Sequence, residues 1–427
     1  MAIRKDVPVM ESTAAQIPLS FGPEKQPRVL GLFYLWIFIV FDRPQDFFPQ
    51  LQSVRPALIL SCLLVLFSLS QNMAGALKSL VTGTQARLYA CLLAVMALGI
   101  PFSHYPTRSF NAVFVEQSGN WLLFFFFYAL IDSVARLKRV LFLAVIGAGL
   151  YSAFCLAKGT FVDERLFFGD MFDPNDLAFF ALTFLPFGCL FLTGESRLRR
   201  LLSTGAIISG LLLILRTGSR GGFIALAVVS GLMMFSKSGV IARWMKGMLL
   251  IAAVSCLLFM LLGTSTSRYS TILNPEGDYN YFDETGRLAV WERGIDLIVS
   301  HPVTGVGVAG FDEAIADERT AAGLPPRWQT AHNAFIQIGA ETGVPGLVLF
   351  IAMTLTALFG FVRVKKEGAS EDLIRIAEMG FIGLMGQVVS IMFLSQAYSP
   401  YWVFYMVLPT VMLRLSAQEN SGVHPCS

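Results

Sequence analysis

Apolar segments recur along almost the whole of this chain, and they constrain its fold more than any other feature. Some are shorter than the roughly 20 residues that a perpendicular transmembrane helix needs, so we expect tilt or polar extensions there. The twelve segments are 29–41, 57–70, 88–103, 119–132, 140–157, 177–193, 201–215, 222–236, 247–263, 333–362, 376–395 and 399–413. Charged residues make up only 14% of the chain, well below the roughly 25% of a soluble domain. The pattern predicts an all-α, polytopic integral membrane protein with about twelve transmembrane helices.

The Lys and Arg residues indicate an orientation. If the N-terminus is cytoplasmic, most of the 32 basic residues fall in cytoplasmic loops, as the positive-inside rule requires. We therefore expect a cytoplasmic segment at 1–28, helices one to nine in 29–263, a periplasmic loop at 264–332, helices ten to twelve in 333–415 and a cytoplasmic tail at 416–427. The first 28 residues are polar, so no cleavable signal peptide is expected. The net charge of +3 is small and dispersed, which argues against a nucleic-acid partner.

The long loop at 264–332 contains a helical pattern. In "ETGRLAVWERGIDLIVSHP" the apolar residues are spaced three, four and three positions apart, which is typical of one face of an amphipathic helix. These residues are Leu288, Trp291, Ile295 and Ile298. Pro302 follows and cannot continue a helix. We expect this helix to lie over the membrane-embedded bundle.

Two arginines stand in the turn "LRTGSRGG" between the seventh and eighth segments. Arg216 lies about 24 Å of helix from the inner-side Arg200, so the turn is expected slightly below the outer membrane boundary, within a cavity. Ionisable residues at such depth are candidates for function, and the glycines would let backbone N–H groups converge on an anion. The alternative is that Arg216 and Arg220 reach outward to lipid headgroups.

Arg287 is expected to open the helix of the long loop. A cation at a helix N-terminus opposes the helix dipole, but the same place becomes favourable if Arg287 and the free N–H groups hold an anion together. A salt bridge to Asp283 or Glu284 is the alternative.

His332 stands in "RWQTAHNAFIQIGAETGVPG", where the long loop gives way to an apolar segment. Imidazole titrates near neutrality and can take a proton from a hydroxyl group. His332 can equally be an interface or capping residue, and Asn333 is expected to cap the helix or orient His332.

Acidic and amide residues open the sixth segment in "MFDPNDLAFF". Asp173, Asn175 and Asp176 are expected to cap a helix, and they can also bind carbohydrate hydroxyls. Their spacing is not that of a calcium loop, so no metal site is predicted. No nucleotide-binding or hydrolase motif is visible, and no cofactor is expected.

Four pieces of the chain, taken in order, resemble the O-antigen ligase and polymerase superfamily of bacterial envelope glycan assembly. They are "MFDPNDLAFF", "RTGSRGGFIALAV", "GRLAVWERGIDLIVSHPVTGVGVAGF" and "AHNAFIQIGAETGVPGLVLF". The resemblance implies a GT-C-like protein of the bacterial inner membrane with its active site facing the periplasm. It also implies an inverting, metal-independent transfer from an undecaprenyl-pyrophosphate-linked glycan.

Site residues follow from the resemblance position by position. The arginine of the "SRG" turn is Arg220, the arginine of the loop helix is Arg287, and the histidine before asparagine is His332. The arginines would bind pyrophosphate and stabilise the leaving group, with Arg216 as a secondary phosphate ligand. His332 would deprotonate or orient the acceptor hydroxyl. Asn333, Asp173 and Asn175 are the other expected substrate-binding residues.

The acceptor stays open at this point. A ligase acting on lipid A–core oligosaccharide is preferred, and polymerisation of O-antigen or exopolysaccharide and glycosylation of proteins are the alternatives within the superfamily. A transporter of lipid-linked sugars is a different class, but it would carry its charges along a path through the membrane. A passive scaffold would not need three cationic sites around one cavity.

Overall fold

The structure, a computed structural model, is helical almost throughout and describes residues 27–48, 50–70, 74–162, 165–169, 173–236, 239–240, 246, 283, 286–367 and 370–421. The first helices are α1 Pro27–Asp42, α2 Gln50–Val54, α3 Pro56–Ser70, α4 Ala74–Thr82, α5 Thr84–Gly99, α6 Pro106–Asn111, α7 Ser118–Leu130 and α8 Val134–Lys158. The hairpin of β1 Thr160–Val162 and β2 Arg165–Phe167 follows. The remaining helices are α9 Pro174–Gly188, α10 Arg197–Arg216, α11 Arg220–Met234, α12 Arg287–Ser300, α13 Phe311–Ala321, α14 Ala334–Glu367, α15 Glu371–Ile391 and α16 Pro400–Asn420. Short 3-10 turns, and a π-helical turn between α6 and α7, join some of these helices.

Seven helices among the described residues are long and apolar enough to cross a membrane. They are Thr84–Phe102, Pro106–Leu130, Val134–Lys158, Pro174–Phe191, Arg197–Arg216, Ala334–Glu367 and Glu371–Ile391. The chain is therefore an all-α, multi-pass membrane protein, as the sequence predicts. The count of twelve stays a prediction: α11 has 15 residues, about 22 Å, and the segment predicted at 247–263 lies outside the described residues.

Close helix contacts in the bundle depend on small residues. A Cβ added to Gly149 of α8 would lie 2.4 Å from Ala206 Cβ of α10. A Cβ added to Gly386 of α15 would lie 2.4 Å from Val229 of α11. Because lipid provides no hydrophobic drive between helices, such close backbone packing is a main source of stability for a membrane bundle.

Polar contacts inside the bundle join α9, α15 and α16. The Tyr405 hydroxyl donates to the Thr183 carbonyl at 2.7 Å, and Gln387 Nε2 donates to Thr183 Oγ1 at 2.9 Å. Aromatic rings surround this point, with Phe404 centred 5.8 Å from Phe184. These contacts fix α9 against the two C-terminal helices, and α9 carries one part of the candidate site.

Helix α14 is broken at Gly343, which has φ 71° and ψ −173°. The break frees backbone groups that the chain from 302 to 307 then satisfies. Val306 N–H donates to the Ala340 carbonyl at 2.8 Å, and Val344 N–H donates to the Pro302 carbonyl at 2.8 Å. The first part of α14 therefore changes direction before the apolar part, and it packs with the loop that precedes it.

The predicted loop helix is confirmed as α12, and α13 was not predicted. Helix α13 is tied to the start of α6, where Arg108 contacts Asp312 at 2.9 Å and Glu313 at 2.8 Å. The side of α12 that packs on α14 is centred on Val290 and Gly294. Two members of the predicted apolar face are exposed, because Leu288 is 42% exposed and Ile295 is 51% exposed.

Several helix ends meet at one end of the bundle, which we call the site end. Helices α9, α11, α14 and α16 begin there, and α10 and α15 finish there. Three contacts that join these ends are Gly221 with Phe393, Asp176 with Gln396, and His332 with Ser395. All the predicted site residues lie at this end.

Candidate active site

The turn between α10 and α11 is held by its own residues. Gly218 has φ 60°, a left-handed conformation that glycine adopts without strain. Ser219 caps α11, because its Oγ accepts the N–H of Gly222 at 3.1 Å. The Ser219 N–H in turn donates to Thr217 Oγ1 at 3.3 Å. Two of the N–H groups expected to converge on an anion are therefore used within the turn.

Packing accounts for the two glycines that follow Arg220. A Cβ added to Gly222 would lie 2.6 Å from Ala178 Cβ, and one added to Gly221 would lie 3.0 Å from Phe393 Cβ. Gly222 leaves no room for a Cβ and Gly221 leaves little, because α11 begins in close contact with α9 and with the end of α15. This contact places Arg220, the first residue of α11, half-buried at the site end.

Arg216 lies at the other side of the same turn and is exposed. Its guanidinium carbon lies 5.2 Å from the centre of the Phe161 ring in the hairpin. It is also the last residue of α10, where a cation interacts favourably with the helix dipole. Arg216 thus packs on the Phe161 ring in an exposed position, whereas Arg220, four residues later, is half-buried.

Helix α9 begins with the expected cap. Asp173 Oδ1 accepts the N–H groups of Asn175 at 2.7 Å and Asp176 at 2.8 Å. Asp173 Oδ2 accepts a third bond at 3.1 Å, from Asn175 Nδ2. The carboxylate is therefore fixed by the backbone of its own helix, as the capping interpretation predicts.

Arg165 links this helix start to the arginine turn, and sequence reasoning missed it. Its Nη2 donates to Asn175 Oδ1 at 2.9 Å, and its Nε donates to the Thr217 carbonyl at 3.1 Å. One guanidinium therefore bridges the segment that carries Asp173 and the segment that carries Arg220. No spacing rule in the sequence connects Arg165 to either segment.

Arg287 is the first residue of α12, as expected, and it is half-buried. The residue before it, Gly286, provides no side-chain cap. The first turn of α12 also contains no acidic residue. Arg287 therefore begins α12 at the end of the helix where the dipole is positive.

His332 has a left-handed backbone with φ 47°. Left-handed residues other than glycine are uncommon and cost on the order of 1 kcal/mol, although histidine tolerates this region better than most. Two contacts fix it: the His332 N–H donates to Ser395 Oγ at 2.8 Å, and Nε2 lies 3.4 Å from Thr330 Oγ1. Backbone strain of this kind is typical of sites where the direction of a side chain matters.

Asn333 caps α14. Its Oδ1 accepts the N–H groups of Phe335 at 2.9 Å and Ile336 at 3.2 Å. Of the two roles expected from the sequence, capping is therefore the one for which the geometry gives contacts. The cap fixes the start of α14 and, with it, the neighbouring His332.

Charged residues from two other segments of the chain affect the pKa of His332. Burial lowers the pKa of the imidazole below its ordinary value, and the positive charge of Arg287 lowers it further. The carboxylate of Asp173 acts in the opposite direction and raises the pKa. A neutral imidazole, which can accept a proton, is therefore the form present at pH 7.

The loop between α15 and α16 connects these parts, and no feature of its sequence selects it. Ser395 holds the His332 N–H, and the neighbouring Gln396 donates from Nε2 to Asp176 Oδ1 at 2.8 Å. Two residues on, the Tyr398 hydroxyl donates to Oε2 of the buried Glu341 at 2.6 Å. The sequence signal of this loop was weak, since serine and glutamine near a membrane surface are ordinary loop residues.

Metal ligands are not gathered in the part of the chain that the structure describes. No three His, Cys, Asp or Glu side chains among those residues come together so that they could hold a metal ion. The metal-independent reaction expected from the sequence stays a prediction.

Comparison with known proteins finds a family model that matches part of the chain. Residues 205–351 match the family model described as O-Antigen ligase. The chain is 29% identical over 252 residues to the exopolysaccharide production protein ExoQ of Rhizobium meliloti, a match covering 53% of this chain and 54% of that protein. Both matches support the resemblance to the O-antigen ligase and polymerase superfamily that the four motifs show.

A second relative is an uncharacterized protein of Haemophilus influenzae, 25% identical over 173 residues, with 37% of this chain and 42% of that protein matched. The matches span about half the length of these curated relatives. The region matched by the O-antigen ligase model contains the two turn arginines, Arg287, His332 and Asn333. Asp173, Asn175 and Ser395 lie outside it, so the superfamily match and the three-dimensional contacts identify partly different residues.

Proposed function

We propose that this protein is a membrane glycosyltransferase of the ligase or polymerase type. It would transfer a glycan from an undecaprenyl-pyrophosphate carrier to a hydroxyl of an acceptor, with inversion and without a metal. The proposal is carried by the contacts that bring the segments of Arg220, Asp173 and His332 to the site end, together with the electrostatic influence of Arg287 and Asp173 on the pKa of His332. A cation, a carboxylate and a neutral imidazole around one point can bind a phosphorylated donor and activate a hydroxyl.

His332 would take the proton from the acceptor hydroxyl as its oxygen attacks the anomeric carbon of the donor sugar. The bond between that carbon and the pyrophosphate oxygen breaks at the same time, and undecaprenyl pyrophosphate leaves. Attack from the face opposite the leaving group inverts the anomeric centre. The lowered pKa of His332 keeps the imidazole unprotonated and ready for this step.

Arg220 and Arg287 would bind the pyrophosphate and stabilise the charge that develops on it. Guanidinium groups suit this role, because they stay charged and present several N–H donors in a plane. Arg216 would lie at the edge of the donor site, since it is exposed and packs on Phe161. Asn333 and Asn175 would fix the starts of α14 and α9, and these helix ends would contact the glycan.

The site end would face the periplasm, and both termini would lie in the cytoplasm of a bacterium with this protein in its inner membrane. The distribution of Lys and Arg supports this orientation. An aqueous acceptor would then meet a donor whose lipid tail stays in the bilayer. The boundaries expected for the periplasmic loop, 264–332, belong to this proposal.

The acceptor that we propose first is lipid A–core oligosaccharide, which makes the protein a ligase. A second candidate is the growing end of an exopolysaccharide, which makes it a polymerase. The likeness to ExoQ, whose name refers to exopolysaccharide production, favours this second candidate. The transfer chemistry at His332 is the same for both, so the site does not separate them.

Transfer by the purified full-length protein tests the proposal. The protein is incubated in detergent with undecaprenyl-pyrophosphate glycan and lipid A–core, with and without EDTA. Products that carry glycan on lipid A–core and survive EDTA support a ligase, whereas lengthening of the donor glycan alone supports a polymerase. His332→Ala and Arg287→Ala are expected to abolish either product. Absence of both products, where a known superfamily member is active, would contradict the proposal.

A further inference from the structure

Helix α12 exposes a row of large apolar side chains. Leu288, Ile295 and Val299 are 42%, 51% and 72% exposed. Positions seven and four residues apart lie on the same side of an α-helix, so these side chains form one stripe, which we call the outer stripe. An exposed apolar stripe needs an apolar environment, because apolar surface left in water is unfavourable.

The contact between α12 and the rest of the protein uses another side of the helix. Val290 is buried, and Gly294 fits so closely that an added Cβ would lie 2.3 Å from Ile336 Cγ2. Ile298 packs in the same way on Gly339, where an added Cβ would lie 2.7 Å from Ile298 Cδ1. The packing of α12 on α14 is therefore complete without the outer stripe.

The apolar part of α14 carries its own exposed stripe. Its members recur every three or four residues, so they lie along one side of the helix. They are Val344 at 44%, Val348 at 56%, Ile351 at 38%, Leu355 at 46% and Phe359 at 69% exposed. In a multi-pass membrane protein this side of a spanning helix faces the acyl chains of the bilayer.

The two stripes approach each other at the break in α14. The Pro302 carbonyl, two residues past the end of α12, accepts the N–H of Val344 at 2.8 Å. Val303, which follows Pro302, is 69% exposed. The end of the outer stripe thus lies close to the start of the lipid-facing side of α14.

We propose that α12 is an interfacial helix whose outer stripe is buried among the acyl chains and headgroups of the nearer leaflet. Asp296 and Ser300 lie on the adjoining side, which faces water, and Glu292 lies at the boundary between the two. Such a division of apolar and charged sides is the property of helices that lie in the membrane interface. Arg287, the first residue of α12, is then held at the depth of the lipid phosphates.

The depth of α12 can be measured without donor or acceptor, so the result is independent of the transfer reaction. Full-length protein lacking its six native cysteines receives single cysteines for labelling with an environment-sensitive fluorophore. Ile295→Cys and Val299→Cys report the outer stripe, and Asp296→Cys and Ser300→Cys are the matched controls. Each labelled protein is placed in phosphatidylcholine nanodiscs with and without lipid that carries a doxyl quencher near the headgroup.

We expect quenching at 295 and 299 to exceed that at 296 and 300 by about twofold or more, because the two sides of an interfacial helix differ in depth. Equal and weak quenching at all four positions would overturn the proposal. It would show that the outer stripe is covered by protein or exposed to water.

A second measurement uses the unmodified protein. Phosphatidylcholine with a photoreactive acyl chain is crosslinked to wild-type protein in nanodiscs, and the modified peptides are identified by mass spectrometry. Crosslinks in the peptide from 288 to 303 are expected. Crosslinks confined to the spanning helices, with 288–303 unmodified, would contradict the proposal. These crosslinks are expected to persist when undecaprenyl phosphate is added. Their loss would assign the outer stripe to the donor tail and would overturn the proposal.

Discussion

The turn between α10 and α11 and the entry to α14 each place a proposed site residue beside the start of a helix, but they hold it in different ways. In the turn, glycine takes the left-handed position at Gly218, and Ser219 caps the helix within three residues. In the entry, His332 itself takes the left-handed position, and its N–H is held by Ser395 from 63 residues away. The left-handed position and the helix cap beside Arg220 thus come from its own turn, whereas the left-handed backbone of His332 is held by a residue distant in the sequence.

This difference determines how each site residue responds to substitution. A relaxed turn keeps its shape when the side chain of Arg220 is changed, so the effect of a substitution is confined to charge and hydrogen bonding. A strained entry stays in place only while its surroundings hold it. Changes near His332 therefore alter both chemistry and geometry, and the two effects can be separated by choosing the replacement.

The largest effect is expected for replacement of His332. Both His332→Gly and His332→Ala should reduce transfer by about 10²–10⁴-fold, the usual contribution of a general base. Glycine adopts φ 47° freely, whereas alanine pays about 1–2 kcal/mol there. Thermal unfolding in detergent should therefore show His332→Gly to be the more stable of the two. Equal stability would mean that the entry is not strained.

Removal of the Arg220 side chain should give the second-largest loss of transfer activity. Arg220→Ala is expected to lower the transfer rate by about 10²–10³-fold, as loss of a group that stabilises the leaving group does. Arg220→Lys keeps the charge but loses the planar set of donors, so an intermediate rate is expected. Because the turn is held by Gly218 and Ser219, both variants should unfold near the wild-type temperature. A large drop in that temperature would show that Arg220 is structural.

The tether of His332 should give a smaller effect. Ser395→Ala leaves the N–H of His332 without its acceptor, at a cost of about 1 kcal/mol. A decrease of about tenfold in kcat, with little change in KM, is expected because the imidazole is less well directed. Ser395→Thr keeps the hydroxyl and should restore most of the rate. A threonine variant as slow as the alanine variant would exclude a positioning role.

The smallest effect is expected at Arg216. Arg216→Ala removes the contact with the Phe161 ring, which is worth about 0.5–1 kcal/mol at an exposed site. Phe161→Leu should produce the same small loss of stability, and both variants should keep nearly all transfer activity. If Arg216→Ala alone raises the KM for the donor, Arg216 is a phosphate ligand rather than a packing residue.

The fold class and the loop helix could be predicted because their signals are local. Apolar runs indicate membrane helices, and α12 was found from the spacing of its apolar residues. The packed side of α12 was missed, because the sequence shows which side is apolar but not whether lipid or protein covers it. The start of α9 was predicted correctly for the same local reason, since the capping bonds of Asp173 run only to the next three residues.

The predicted site residues meet at one end of the bundle, but the groups that join them could not be predicted. Arg165 bridges two segments through an amide oxygen and a backbone carbonyl, and neither contact leaves a spacing in the sequence. The same holds for Ser395 and for the bond between Tyr398 and Glu341. The left-handed backbone of His332 is likewise a property of its tertiary contacts.

Titration of His332 by NMR tests the central claim most directly, because it measures the convergence itself. The chain has four histidines, so labelled imidazole signals can be assigned with His332→Gly as the reference. The wild-type pKa should lie below the ordinary value of about 6.5. Arg287→Gln removes a positive charge and should raise it, and Asp173→Asn, which keeps the helix cap, should lower it further. A pKa that neither substitution moves would contradict the account, because Arg287 and Asp173 would then not share a site with His332.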